Sequence, residues 1–278
     1  MRASLNSSVK RIASLLFVLP LFVLSFCSSN QESENVRVDS AIQEKSIVDS
    51  VKAKKEFSID SLDYLLGKFN PGKNQVFTEV SLIHGSRKGM YLRKDVYEAF
   101  KKMFNAAKID RIDLKIISAT RTFRQQKAIW EAKWEGKKLV GGKDLSKIQD
   151  ETERAEIILK YSSMPGTSRH HWGTDMDLND LTNDYFEYGT GAKIYQWLQQ
   201  NAGTYGFCQP YTSKDSLRPN GYEEEKWHWS YFPVSSKLLT TYLQNITVDQ
   251  ISGFQGSEKA EEIGIIEKYV AGVNQECK

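Results

Sequence analysis

Ser168-Arg169-His170-His171-Trp172-Gly173-Thr174-Asp175-Met176-Asp177 lies within residues 162–180, a stretch dense in Pro, Gly, Ser, His and Asp. Such residues favour turns over helix, and the stretch reads as a loop running into a short strand over 174–178. On its N-terminal side, Val96, Ala99, Phe100, Met103, Phe104 and Ala107 recur at helical spacing with lysines opposite, which predicts a helix over 92–107. Residues 112–118 begin in alternation and are rich in β-branched side chains, as a strand requires. Further helices fit 124–134, ended by Gly136, and 150–161. On the C-terminal side, 193–201 is helical and 203–209 is a turn into a strand. A loop with Pro219, Asn220 and Gly221 precedes a strand over 225–232, and helices fit 236–244 and 258–271. There is no internal repeat. Helices first, then short strands separated by long loops, predict an α+β domain with a small, mainly antiparallel sheet and flanking helices.

The 278 residues are 40% hydrophobic and 12% aromatic, enough for one sizeable core and too little for two large ones. The formal charge of +3 comes from Arg2, Lys10 and Arg11 in residues 1–27, which hold no acidic side chain. The remainder is balanced, so there is no electrostatic footprint for nucleic acid. Lys10 and Arg11 followed by the apolar run 12–26 form an export signal too short to span a membrane comfortably. Its end, Leu24-Ser25-Phe26-Cys27, resembles a bacterial lipobox, in which the cysteine is lipidated and becomes the new N-terminus; Phe26 departs from the small residue usual there. Residues 28–56 are polar, charged and without an aromatic, a composition suited to a solvated tether. The folded domain is therefore expected over 57–278. Cys208 and Cys277 lack the spacing of a metal pair, and an oxidising envelope compartment permits a disulfide between them.

Three of the four histidines lie beside acids and tryptophans, in residues 168–177 and in Glu225-Lys226-Trp227-His228. A hydrolytic zinc site takes three imidazole and carboxylate ligands and leaves a fourth position for water, and His170, Asp177 and His228 supply that set. A nearby carboxylate must take the proton from that water and pass it to the leaving amine, a role that falls to Glu225. In an extended chain Glu225 and His228 face opposite ways, so a bend or strand end is required between them. His171 adjoins His170 and is expected to point away from the metal, on the surface or behind the ligands. His84, in a polar turn without an acidic partner, is expected to be a loop residue, with contact at the substrate rim the alternative. Trp227, Trp130 and Trp134 are expected to pack in the core.

Ser168-x-His170-x-x-Gly173-x-x-x-Asp177, followed about fifty residues later by Glu225-x-Trp227-His228, resembles the two signatures of the VanY-type D-alanyl-D-alanine carboxypeptidases. These zinc peptidases act on peptidoglycan and are related to D-Ala-D-Ala dipeptidases and phage endolysins. A third block, Ser118-Ala119-Thr120-Arg121-Thr122-Phe123-Arg124-Gln125-Gln126, resembles the family's Ser-Gly-Tyr-Arg-Ser run with its glutamine five residues beyond the arginine. The similarity covers roughly residues 90–233. It implies zinc ligands His170, Asp177 and His228, with Glu225 as general base and acid. Arg121 would meet the substrate's terminal carboxylate or the developing oxyanion, as a bidentate guanidinium can. Ser168 would donate a hydrogen bond to substrate, and Gln126 would bind substrate or brace Arg121. Two departures stand out. Thr120 replaces the family's tyrosine, and Asp175 replaces a small residue. Asp175 shares a strand face with Asp177 and is therefore a rival ligand or a partner behind the ligands.

The resemblance implies hydrolysis beside D-amino acids in peptidoglycan stem peptides; the lipobox-like end of the export signal separately predicts Cys27 as a membrane anchor in the cell envelope. Two other functions use the same residues. One is an endopeptidase cutting cross-links, and the other is a non-catalytic zinc module that binds wall or a partner. Retention of Glu225 argues against the second, because a purely structural site needs no base.

Overall fold

The computed structural model describes residues 61–278. The export signal, Cys27, the tether and the expected domain start at residue 57 lie outside the described residues. No helix among the described residues is long and apolar enough to cross a membrane.

The helices are α1 (Leu62–Leu65), α2 (Lys94–Ile109), α3 (Phe123–Trp134), α4 (Glu151–Leu159), α5 (Gly189–Asn201), α6 (Phe232–Asn245) and α7 (Ala260–Ile263). The strands are β1 (Phe77–Glu79), β2 (Tyr91–Arg93), β3 (Ile116–Ser118), β4 (Asp175–Leu178), β5 (Phe207–Cys208) and β6 (His228–Tyr231). β1 and β2 pair as a separate antiparallel ribbon, and the main sheet has the order β3-β4-β6-β5, antiparallel throughout. The α+β class and the small antiparallel sheet expected from the sequence are both present.

Side chains two apart on a strand share a face, and this divides the main sheet sharply. Met176, Leu178 and Trp229 face an apolar core with Phe100, Met103, Ile116, Ile194 and Leu198, all buried. Asp175 and Asp177, with His228 and Ser230, face the other way. A second core, containing Trp130, Ile158, Trp172 and Tyr242, packs α3, α4 and α6 together. Each fully buried large side chain in these cores contributes about 1.5–3 kcal/mol. Trp130 and Trp134 stack at 6.1 Å within the second core, as their spacing implied.

Several element boundaries differ from the sequence expectations for physical reasons. α2 begins at Lys94 because Leu92 and Arg93 are taken by β2, paired with Thr78 and Phe77. The β1–β2 ribbon and α1 carried no clear sequence signal. β3 is confined to Ile116–Ser118, since its partner β4 is only four residues long; Lys115 bonds instead to the side chain and backbone of Asn179. β6 starts at His228, because residues 225–227 form a turn closed by the His228 N–H to the Glu225 carbonyl at 3.2 Å. The single helix expected over 258–271 is broken at Gly264, whose φ of 70° leaves the right-handed helical region. Cys208 and Cys277 form a disulfide with Cα atoms 5.8 Å apart, tying the C-terminus to β5.

Candidate metal centre and catalytic cleft

The turn before β4 and the start of β6 build the centre. Arg169–Trp172 winds as a 3-10 turn, and Gly173 ends it with a φ of 72° before the chain enters β4. A Cβ on Gly173 would lie 2.3 Å from the Phe77 ring, so both the conformation and the packing demand glycine here. The sheet then sets Asp177 directly opposite His228 and Asp175 opposite Ser230. Directly paired side chains have Cβ atoms about 4.5–5.5 Å apart, so the register itself brings carboxylate to imidazole.

Three candidate ligand atoms, one each from His170, Asp177 and His228, lie within 4.8 Å of one another. His170 Nε2 is 3.3 Å from Asp177 Oδ1, and His228 Nδ1 is 3.4 Å from the same oxygen. Ligand atoms about 2.0–2.1 Å from a tetrahedral zinc sit about 3.3–3.4 Å from each other. His170 Nε2 and Asp177 Oδ1 are buried without any hydrogen-bond partner, a costly state for polar atoms that a cation would relieve. The residues therefore fit a divalent metal of the zinc type.

Hydrogen bonds to the far ring nitrogens fix the tautomers. His170 Nδ1 donates to the Ala119 carbonyl at 2.9 Å, which leaves Nε2 as a bare lone pair. His228 Nε2 donates to Asp175 Oδ2 at 2.9 Å, which leaves Nδ1 facing Asp177 and Glu225. Asp175 is thus the carboxylate behind the histidine, and the rival assignment of Asp175 as a ligand is corrected. Its oxygens are already occupied by Arg169 Nε at 2.9 Å, Ser230 Oγ at 2.8 Å and Thr174 Oγ1 at 2.6 Å.

The electrostatics follow from burial and pairing. Burial alone would raise the Asp175 and Asp177 carboxyls. The Arg169 and His228 charges outweigh it at Asp175, and His170 with His228 and Arg121 outweighs it at Asp177, so both stay ionised well below the usual range. Burial opposes charge on His228, but hydrogen bonds to Asp175 and Glu225 prevail and push its pKa up to about 9 without metal. Burial lowers the His170 pKa, with the Arg121 charge adding to the effect. Glu225 is raised by burial, partly offset by His228. Its Oε2 lies 3.1 Å from His228 Nδ1, because the 225–227 turn supplies the bend that an extended chain lacks.

A cleft of about 620 Å³ opens over this cluster, between the polar face of the sheet and α3. Thr122 and Gln125 form a capping box that starts α3 one residue after Arg121. Arg121 lines the cleft, 3.8 Å from Asp177 through one terminal nitrogen, with its Nε unpartnered. Ser168 and Thr120 also line it and carry unpartnered hydroxyls. Gln126 does not. It is fully buried, accepting from Arg121 at 2.9 Å and donating to the Ser163 carbonyl at 2.7 Å. Of the two roles expected for it, substrate contact or brace, these bonds fit the brace, because both ends of its amide are used.

The other two histidines lie outside the metal cluster, as expected. His171 is fully buried, since its segment is a 3-10 turn and not extended chain. Its Nδ1 donates to the Arg121 carbonyl at 2.6 Å and its Nε2 accepts from the Gly166 N–H at 3.0 Å. Burial lowers its pKa to about 3, so it is a neutral clamp on the Arg121 loop. His84 is half-buried and bonded to the Tyr97 hydroxyl at 2.6 Å, with its ring edge-on to Phe104, and it does not line the cleft. Trp227 is buried and contributes to the cleft wall. Sequence reasoning missed Arg169 and Ser230. Spacing offered a signal for each: Arg169 lies inside the histidine block, and Ser230 two residues after His228.

A family model described as VanY, D-alanyl-D-alanine carboxypeptidase, matches residues 89–234. The chain is 31% identical over 144 residues to the putative carboxypeptidase YodJ of Bacillus subtilis, a match covering 51% of this chain and 46% of that protein. It is 29% identical over 149 residues to a D-alanyl-D-alanine carboxypeptidase of Enterococcus faecalis, covering 53% and 50%. The chain thus spans about half the length of the curated relatives it matches. Among solved structures, VanYB in complex with D-alanine-D-alanine aligns with a TM-score of 0.44 at 22% identity, covering 72% of this chain and 91% of that one. The residues matched by the family model run from before Arg121 to beyond His228 and take in the whole polar cluster, and the chain belongs to the VanY D-alanyl-D-alanine carboxypeptidase family.

Proposed function

We propose that the protein is a zinc peptidase that removes the terminal D-alanine from peptidoglycan stem peptides ending in D-Ala-D-Ala. The observation that carries this reading is the convergence of His170, Asp177 and His228 within 4.8 Å, beside the buried Glu225 and under a cleft lined by Arg121. His170 Nε2, Asp177 Oδ1 and His228 Nδ1 would hold the metal. Bound there, zinc would supply Lewis acidity and lower the pKa of a coordinated water towards about 7.

The chain's own residues perform the remaining work. Glu225 accepts a proton at its carboxylate and returns it to the departing amine. Its pKa, raised by burial, brings it closer to the neutral range in which such a shuttle is efficient. Arg121, held by Gln126, meets the substrate's terminal carboxylate or the developing oxyanion. Ser168 donates its free hydroxyl to the bound peptide. The Enterococcus faecalis relative is named as a D-alanyl-D-alanine carboxypeptidase, which supports this substrate class. The sequence of residues 1–27 supports export, with Cys27 as a lipid anchor and 28–56 as the tether that lets the domain reach the wall.

The test is mass-spectrometric product analysis of zinc-replete protein incubated with D-Ala-D-Ala-terminated peptides and with purified muropeptides. Release of single D-alanine supports the carboxypeptidase reading, and cut cross-links without it would turn the reading to an endopeptidase. No product from a preparation shown to contain metal would defeat both.

A further inference from the structure

Arg87, Lys133 and Lys138 line the cleft without an ion pair among the described residues, and of the three only Lys133 is withdrawn from the surface. Lys133 lies on α3 and lines the cleft, and its Nζ donates to the neutral Ser162 hydroxyl. On the same helix Lys127 pairs with Glu131, whereas Lys133 takes part in no ion pair among the described residues. Lysines usually carry their charge out into water. Burial here lowers the Lys133 pKa to about 8, with the nearby Lys138 and Arg121 charges adding to the effect and Glu225 opposing it. Most Lys133 side chains are still charged at neutral pH.

The balance of the whole cleft points the same way. Arg87, Arg121, Lys133 and Lys138 line it, against only two carboxylates, Asp177 and Glu225. Both carboxylates lie against the histidines. A single terminal carboxylate on the substrate occupies Arg121 at most and leaves the ammonium of Lys133 unmatched. Lys133 follows Gln126, the brace of Arg121, by two helical turns, about 10 Å of rise. Both side chains reach towards the same dipeptide, Ser162-Ser163. Extended peptide advances about 3.3–3.6 Å per residue, so that rise corresponds to about three substrate residues.

We propose that Lys133 forms a second anion subsite that takes a side-chain carboxylate just upstream of the D-alanyl terminus. The enzyme then prefers stem peptides whose third residue is a diamino-dicarboxylic acid over those carrying lysine there. This rests on the peptidase reading above and adds the substrate class to it. A charge-assisted hydrogen bond in a partly dry cleft corresponds to a preference of about ten-fold or more in kcat/KM.

The experiment uses zinc-replete protein and three D-Ala-D-Ala peptides that differ only in the third residue: diaminopimelate, its side-chain amide, or lysine. The free acid is expected to be cut about ten-fold faster than the other two. Lys133→Met should bring that ratio close to one, and Lys133→Arg should preserve it. An active wild-type protein that cuts all three alike would overturn the subsite and leave the peptidase reading standing. Failure to cut any of them would remove the peptidase reading itself. If Lys133→Met slows all three equally and keeps the ratio, Lys133 serves the terminal carboxylate, and the second subsite is overturned. The wild-type ratio needs no variant, and a ratio near one overturns the subsite even if a substitution prevents folding.

Discussion

His228 Nε2 donates to Asp175 Oδ2 at 2.9 Å, and this bond decides which face of the imidazole meets the metal position. The relationship extends inward, since Asp175 is held in turn by Arg169 at 2.9 Å, with the Arg169 side chain buried and its guanidinium 5.0 Å over Trp172. Carboxylates placed behind metal-binding histidines fix ring orientation and strengthen the ligand.

Asp175→Asn should therefore weaken zinc binding by about 10–100-fold, read by competition with a chromophoric chelator. Asp175→Ala should also leave the buried Arg169 charge unpaired, lowering unfolding stability by about 3–5 kcal/mol. A folded Asn variant with wild-type zinc affinity would show that Asp175 serves packing alone.

Glu225→Gln keeps the shape of the side chain and removes its proton-accepting capacity. Turnover is expected to fall by about 10²–10⁴-fold while metal analysis still finds zinc bound. Full activity in this variant would transfer the proton shuttle to another group, and unchanged physiology despite lost turnover would favour a binding module.

Arg121→Lys keeps the charge and loses the bidentate fork. If Arg121 reads the terminal carboxylate in ground state and transition state alike, KM rises and kcat holds; if it meets the oxyanion, kcat falls instead. Gln126→Leu should shift the same parameter in the same direction but less, because Gln126 acts only through Arg121. Steady-state kinetics on one peptide measures both variants.

His171 supplies a pH dependence of stability. Its folded pKa of about 3 lies below the ordinary histidine value, so the unfolded chain binds the extra proton more readily. The stabilisation from burying neutral His171 is complete above about pH 6.5 and is lost progressively as pH falls towards 3. Urea midpoints measured at pH 7 and pH 4 should differ less for His171→Gln than for wild type, since a glutamine amide donates and accepts without titrating. An equal loss in the two proteins would assign the acid sensitivity elsewhere.

The sequence by itself determined the apolar face of α2, the pairing of Trp130 with Trp134, the α+β class and the small antiparallel sheet. It also singled out His170, Asp177, His228 and Glu225, which the fold gathers in one place. Each of these is a local property: periodicity, turn composition, or short blocks of residues with ligand chemistry. Only the tertiary structure decided which nitrogen of each histidine is free, that Asp175 stands behind His228, that Gln126 braces Arg121, and that His171 is buried. Those outcomes depend on cross-strand register and on partners far apart in the chain, such as Ala119 with His170 and Arg121 with His171. A hydrogen bond of that kind leaves no periodic trace in the sequence, because its geometry exists only after the sheet has paired and α3 has closed over it.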